Sequence, residues 1–267
     1  MEHAASAPKI ARSELVNSLA RGLAVLEVFA NAGSRELSLT EISRRTSLSK
    51  TTAFRLVRTL VHLGYMKQNQ ESERYFLAAR VLGLGYSVLE GMDLRELAYP
   101  SLKELSRKCG ETVNMAVLDG RELVYVERIK TQQIVNINLH IGSRLPLYNT
   151  SMGRALIAHQ PQEWLRDYVR QLPPEAAEYA AKGGKKLIET LRDVLKKNYA
   201  TNNEDLARGL RSVATQIRNR KGEVVAAINI AVPSGRVSRD ELETKYAPQL
   251  LDTAREISVA LGYRETK

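Results

Sequence analysis

The stretch SLTEISRRTSLSKTTAFRLVRTLVHLGY, residues 38 to 65, constrains the fold more than any other part of the chain. Its apolar residues fall into two short helical rhythms separated by a polar turn. Thr40 is placed to cap a first helix, EISRRT, with Glu41 in the first turn, where a carboxylate meets the positive end of the helix dipole. Ser47 to Ser49 reads as the turn, and Ser49 as the cap of a second helix whose Ala53, Leu56, Val57, Leu60 and Leu63 share one side. That side needs a cover. Upstream, Leu19, Leu23, Leu26 and Ala30 recur at helical spacing between Ser18 as cap and Gly33 as stop, which supplies a third helix. Gly64 ends the run, and YMKQNQ and RYFLAA then flank the polar turn ESE as a small hairpin.

The other side of the second helix carries Thr51, Arg55, Arg58 and His62, and the 29 residues from Ile42 to Gln70 hold six Lys or Arg and no Asp or Glu. Such a surface suits an anionic polymer, as does the formal charge of +10. Two short helices joined by a tight turn, the second basic and hydroxyl-bearing, match a helix-turn-helix that lays its second helix in the DNA major groove, and the hairpin adds a wing. Ser49, Lys50, Thr51 and Thr52 occupy the first turn, where side chains reach base edges and free N–H groups favour phosphate. Arg55 is spaced for a bidentate contact with guanine, and Arg44, Arg45, Arg58 and the wing residues Lys67 and Arg74 for phosphates. The competing reading is a basic helix that only faces solvent or another protein. The acid-free run, the cap positions and the hairpin together favour DNA.

With 267 residues, 43% of them hydrophobic, the chain can bury a sizeable core in two domains. Residues 1–16 read as a mobile tail, 17–78 as the winged helix-turn-helix, 79–92 (around VLGLGYSVLEG) as a linker helix, and 93–267 as a second, α+β domain. In that second domain a helix is expected from Asp93 to about Lys108, bent or bounded at Pro100 and stopped by Gly110. ETVNMAVLD, RELVYVERI and IVNINLHIG read as strands, the first two joined at Asp119-Gly120. TSMGRALIAH and residues 161 to 197 read as helical, RSVATQIRN and EVVAAINIAV as strands, and 238 to 262 as a closing helix. No apolar run reaches the length of a membrane span and no signal-peptide core is present, so a cytoplasmic protein without membrane contact is expected. Cys109 is the single cysteine, and the histidines at 3, 62, 140 and 159 show no ligand spacing, so no metal and no cofactor is expected. Nucleophile-elbow, phosphate-loop, dinucleotide and His-Glu metal motifs are lacking, and neither Ser151 nor Cys109 has a base at a telling spacing. No catalytic residue is expected.

RGLAVLEVF, LTEISRRTSLSKTTAFRLVRTLVHLGYM, LPLYNTSMGRALIA and NEDLARGLRSVATQI with GEVVAAINIAVP, in order from about 17 to 263, resemble the IclR family of bacterial transcriptional regulators. The resemblance implies an N-terminal winged helix-turn-helix, a linker helix, and a C-terminal GAF/PAS-like antiparallel sheet with helices that binds a small effector. It also implies a homodimer, or a dimer of dimers, on a palindromic operator in double-stranded DNA, with RNA polymerase as a further candidate partner. MDLRELAYPSLKELS, AVLDGRELVYVERI, GSRLPLYNTSMGRALIA and GLRSVATQI look most like the subgroup governing protocatechuate, p-hydroxybenzoate and β-ketoadipate catabolism, and Tyr148 stands where many relatives outside it have His. Thr215-Gln216 and AVPSGR depart from that subgroup's pattern. An aromatic acid or its catabolite is the implied effector. A regulator of another carbon-source pathway, or a nucleic-acid-binding protein without effector, stands as the alternative.

Carried over by matched motif, Ser151, Met152, Asn202, Ser212, Asn229 and Ala231 should face the effector. Chemistry supports part of that set, since an acid needs an apolar slot and a few fixed donors. Ser151 begins a helix whose free N–H groups suit a carboxylate, or it only caps that helix, and Asn229 in an apolar strand needs partners. Arg144, Arg154 and Arg211 could pair with an acid or face solvent, Tyr125 and Tyr148 could stack on a ring or fill core, and Glu204 and Asp205 could cap or contact ligand.

Overall fold

The structure, a computed structural model, describes residues 15–29, 34–84, 93–131 and 139–264. The chain divides into two compact units, Met1–Gly91 and Met92–Lys267.

In the first unit α1 (Asn17–Glu27), α2 (Leu39–Thr46) and α3 (Lys50–His62) precede a two-stranded antiparallel hairpin, β1 (Met66–Gln68) and β2 (Tyr75–Leu77). Val25, Leu37, Ile42, Val57, Leu60, Met66 and Tyr75 form its core. Leu37 exchanges two backbone hydrogen bonds with Tyr75 (2.9 and 2.8 Å), tying the hairpin to the start of α2. The cap of α2 is Ser38, not the expected Thr40. Ser38 Oγ accepts from the Glu41 N–H at 3.3 Å while Glu41 Oε2 accepts from the Ser38 N–H at 2.8 Å, a reciprocal box that the S-x-x-E spacing permits and Thr40 does not. That hydrogen bonding to Ser38 also holds the Glu41 carboxyl below its ordinary range. Ser38→Ala should lower the unfolding free energy of this unit by about 1 kcal/mol, read from urea denaturation.

Ser47 turns the chain at φ +54°, and Ser43 clasps the turn by donating from Oγ to the Leu48 carbonyl at 2.6 Å. Ser49 caps α3 as expected, accepting from the Thr52 N–H at 3.2 Å. At the far end Gly64 adopts φ +78°, one residue beyond Leu63, which is 48% exposed rather than part of the buried side. Ser18 does not cap α1, because the helix begins at Asn17 after Val16. Ala30 and Gly33 lie outside the described residues, as does most of the expected linker helix, of which residues 80–84 are helical.

The second unit is built on a six-stranded sheet in the order β5-β4-β3-β8-β7-β6, every neighbouring pair antiparallel. The strands are β3 (Thr112–Asp119), β4 (Glu122–Ile129), β5 (Arg144–Pro146), β6 (Ala200–Asn203), β7 (Leu210–Arg218) and β8 (Val224–Pro233). The longer helices are α4 (Asp93–Cys109), α5 (Ser151–Ile157), α6 (Gln162–Arg170), α7 (Ala177–Lys197) and α8 (Ala247–Ala260), the last led in by a helical turn at Arg239–Glu241 and a π-helical one at Leu242–Tyr246. Period-two alternation sends Val113, Met115, Val213, Ile228 and Ile230 to a core with Leu102 of α4 and Leu250 of α8. Ala116, Leu123, Ala214 and Ala227 enter the opposite core with Leu156 of α5, Tyr168 of α6 and Leu187 of α7.

Some expectations change. Of the bend or boundary expected at Pro100 the boundary is excluded, because α4 runs through it, the 161 to 197 region is broken at Ala181–Gly184 by non-helical backbone, and β5 and the polar β6 (ATNN) appear where no strand was expected. Of the strand expected at IVNINLHIG, residues 134–138 lie outside the described residues and His140 to Ser143 form a turn into β5.

Candidate functional site

Two rungs of the sheet assemble the site. Asn202 of β6, Ser212 of β7, Ala231 of β8 and Thr112 of β3 are successive cross-strand partners, and so are Ala214, Asn229, Asn114 and Arg128 on β7, β8, β3 and β4. Over these rungs lie Thr150, Ser151 and Met152 at the start of α5, with Leu206, Leu210 and Leu139 at the sides, enclosing a cavity of about 550 Å3 including its open mouth. All six effector positions carried over from the family motifs line it. Tyr148 and Arg144 do not. Tyr148 is buried against Tyr179, ring centroids 5.1 Å apart, and Arg144 sits on the sheet edge in ion pairs with Asp119 and Glu122, both at 2.7 Å.

The other arginines weighed for an acid are also engaged elsewhere. Buried Arg154 donates to the carbonyls of Tyr148 and Thr201, to the Tyr179 hydroxyl and to Asp205 Oδ2 at 2.7 Å. Arg211 donates to Asn203 Oδ1 at 2.6 Å and to the carbonyls of Ser234 and Val237. Glu204 accepts from the Gly209 N–H at 2.9 Å, which closes its own loop. The helix cap is Thr150 rather than Ser151: Thr150 Oγ1 accepts from the Gly153 N–H at 3.1 Å, while Ser151 Oγ shares a 2.7 Å hydrogen bond with Ser212 Oγ.

Sequence reasoning missed Thr112, Asn114 and Thr150 on this wall and, above all, Arg128. It is the charged side chain among the described lining residues, and its Nε is buried with no hydrogen-bond partner among them. Burial depresses the affinity of its guanidinium for a proton, although an arginine stays cationic at any physiological pH. Beside it the Tyr125 phenol is pushed up to about 12 by burial, so it stays a neutral donor. Asn114 Nδ2 donates to Asn229 Oδ1 at 2.7 Å and Asn202 donates to the Asn149 carbonyl, and among the described residues neither Asn114 Oδ1 nor Asn202 Oδ1 has a partner. Buried polar atoms are ordinarily paired. This wall therefore has a cation, donors and acceptors to offer a bound molecule.

A β-bulge puts Arg128 there. Tyr125 and Arg128 are three residues apart, so an unbroken strand would send them to opposite faces. The register with β3 shifts between Met115, opposite Glu127, and Ala116, opposite Tyr125, leaving Val126 as the extra residue. The two then share the cavity side.

On the first unit, Lys50, Thr51, Arg55 and Arg58 of α3 are exposed, as are Arg44 and Arg45 of α2 and Lys67 of the hairpin. Ser49 and Thr52 are turned toward each other, Oγ to Oγ1 2.9 Å, so their hydroxyls serve the cap first. Arg74 is half-buried and pairs with Glu41 at 2.6 Å, bracing the wing on α2 rather than standing free. Among the described residues no cluster of three or more His, Cys, Asp or Glu could hold a metal, and no helix is long and apolar enough to cross a membrane.

Comparison with known proteins agrees with this geometry. Residues 18–70 match the model of the IclR helix-turn-helix domain and residues 86–259 that of the bacterial transcriptional regulator IclR C-terminal domain. The chain is 34% identical over 246 residues to the Pca regulon regulatory protein of Pseudomonas putida, covering 91% of this chain and 84% of that protein. It is 32% identical over 268 residues to the p-hydroxybenzoate hydroxylase transcriptional activator of Acinetobacter baylyi, covering 96% of each. The crystal structure of an IclR family transcriptional regulator from Brucella abortus superposes with a TM-score of 0.76 at 31% identity, over 96% of this chain and 97% of that one. A basic reading helix in a winged fold, a second unit with a polar-walled cavity, and matched models across nearly the whole length lead to one conclusion: the chain belongs to the IclR family of DNA-binding transcriptional regulators.

Proposed function

We propose that the Met92–Lys267 unit binds a small carboxylic acid, an aromatic acid or its catabolite, and that this ligand controls transcription through the DNA-binding unit. The observation that carries it is Arg128, a half-buried cation on the cavity wall whose Nε has no hydrogen-bond partner among the described residues. A carboxylate answers both deficits at once, the charge and the hydrogen bond. Ser151, Met152, Asn202, Ser212, Asn229 and Ala231 complete the contact surface, and Tyr125 supplies a flat neutral ring. The aromatic assignment draws on the p-hydroxybenzoate hydroxylase activator among the relatives. Residues 17–78 act as the DNA reader, 79–92 as the link and 93–267 as the sensor, after a tail at 1–16. Arg44, Arg45, Lys50, Thr51, Arg55, Arg58 and Lys67 face an operator in a homodimer or dimer of dimers in the cytoplasm. The acid is sensed and not consumed.

A thermal-shift screen tests the reading. Adding 4-hydroxybenzoate or benzoate should raise the melting temperature, because a ligand selective for the native state stabilises it, whereas the matching amides should not. Equal shifts from acid and amide would remove the anion from the recognition. One observation favours a second reading: nine of the fourteen lining residues are polar or charged, which also suits a hydroxylated aliphatic acid of another carbon-source pathway. Gluconate and lactate in the same screen separate the two. For the DNA unit, Arg55→Ala should cost about 1–3 kcal/mol on the specific operator and much less on random duplex, measured by fluorescence anisotropy at matched salt.

A further inference from the structure

The outward arc of α3 contains one side chain that the charge pattern does not explain. Phe54 is 40% exposed, and the residues around it on the outward face are Thr51, Arg55 and Arg58. A scattered exposed Leu needs no account, but this is a stiff aromatic ring on a surface otherwise made of hydroxyls and cations. It stays out of the core cluster that holds Leu56, Val57, Leu60 and Val61 of the same helix. The Arg58 guanidinium lies 5.7 Å from its ring centroid, a cation-π contact that holds the ring beside the basic stripe.

We propose that Phe54 is a specificity-determining residue of the DNA reader and packs against the 5-methyl group of a thymine in each operator half-site. The thymine methyl is the apolar group that a base pair presents in the major groove, and the ring offers it an apolar partner with little rotamer entropy to lose. Arg55, one residue on, reaches a neighbouring base edge, so the two side chains read adjacent positions by different chemistry. Thr51 lies about one turn nearer the start of the helix.

Uracil differs from thymine by that methyl alone, which makes the test direct. Full-length protein is used to select a preferred duplex from a pool with a randomised centre, and each thymine in the selected duplex is then replaced by uracil in turn. One thymine per half-site should show roughly fourfold weaker binding on replacement, the equivalent of one buried methyl. Phe54→Ala should bind the thymine and uracil duplexes equally, while Phe54→Leu, which keeps an apolar side chain, should retain most of the difference. Circular dichroism of both variants reports folding, and if the alanine variant unfolds the leucine variant carries the comparison. The proposal is overturned if no position is methyl-sensitive, if no duplex is preferred, or if the sensitivity survives in Phe54→Ala. It is also overturned if Phe54→Ala changes the oligomeric state on gel filtration with methyl sensitivity intact, because the ring then faces protein.

Discussion

Arg128→Met should weaken binding of a carboxylate effector such as 4-hydroxybenzoate by about 2 kcal/mol, roughly thirtyfold in Kd, while leaving the folding stability of the free protein unchanged or slightly raised. The two halves of that expectation have one cause. Arg128 is half-buried on the cavity wall with its Nε lacking a partner among the described residues, so in the free protein the cation has a desolvation penalty and little compensation. Methionine keeps an unbranched, flexible stem out to about the position of Nε and removes the charge. Arg128→Lys should fall between, because an ammonium keeps the charge but loses the planar fork that matches a carboxylate. Titration calorimetry with the acid and its amide reads both quantities, and amide affinity should not respond. If the wild-type protein binds no acid at all, the effector assignment fails. If it binds and Arg128→Met binds equally well, the anchor lies elsewhere.

Gly153→Ala should be the most damaging single methyl in the second unit, with a loss of about 3 kcal/mol or more in unfolding free energy. A Cβ at this position would collide with Leu147 Cα, Leu147 O and Thr150 Oγ1. Two of these are backbone, and Thr150 Oγ1 is fixed by donating to the Pro146 carbonyl at 2.7 Å, so no rotamer change relieves the clash. α5 would have to lift from the Leu147–Thr150 segment, and with it Ser151 and Met152, which close the cavity. The expected result is a lowered melting temperature together with lost ligand-induced stabilisation. Gly22→Ala in α1 is the matched control: nothing lies within 4 Å of its Cβ, and the gain in helix propensity should raise stability by roughly 0.5–1 kcal/mol. Should Gly153→Ala melt like the wild type, the tight approach of α5 to that segment is wrong.

Several features were legible before any coordinates because their causes are local. The Ser49 cap, the buried side of α3 and the exposed basic residues opposite depend on residues within one or two helical turns of each other. The β3–β4 hairpin follows from Asp119-Gly120, with Gly120 at φ +62°. Where local reasoning failed, the chain offered two equivalent choices and chose by pairing: Thr40 and Ser38 are both competent caps, but Glu41 stands at the spacing that completes a box with Ser38 alone. The arginines show the other kind of failure. Arg144, Arg154, Arg211 and Arg128 look alike as letters, and what distinguishes them is whether a carboxylate or carbonyl happens to arrive from elsewhere in the fold.

By itself the sequence determined that a winged helix-turn-helix precedes an α+β unit, and which helix face is free for DNA, since helical period, caps and charge act over a few residues. Only the tertiary structure decided where the cavity lies and which cation points into it. The Asn114–Asn229 hydrogen bond joins residues 115 positions apart, and Arg128 reaches the same wall because one extra residue in β4 reverses the alternation. Register between distant strands is set by the summed packing of both faces of the sheet, a quantity that no short window of residues contains.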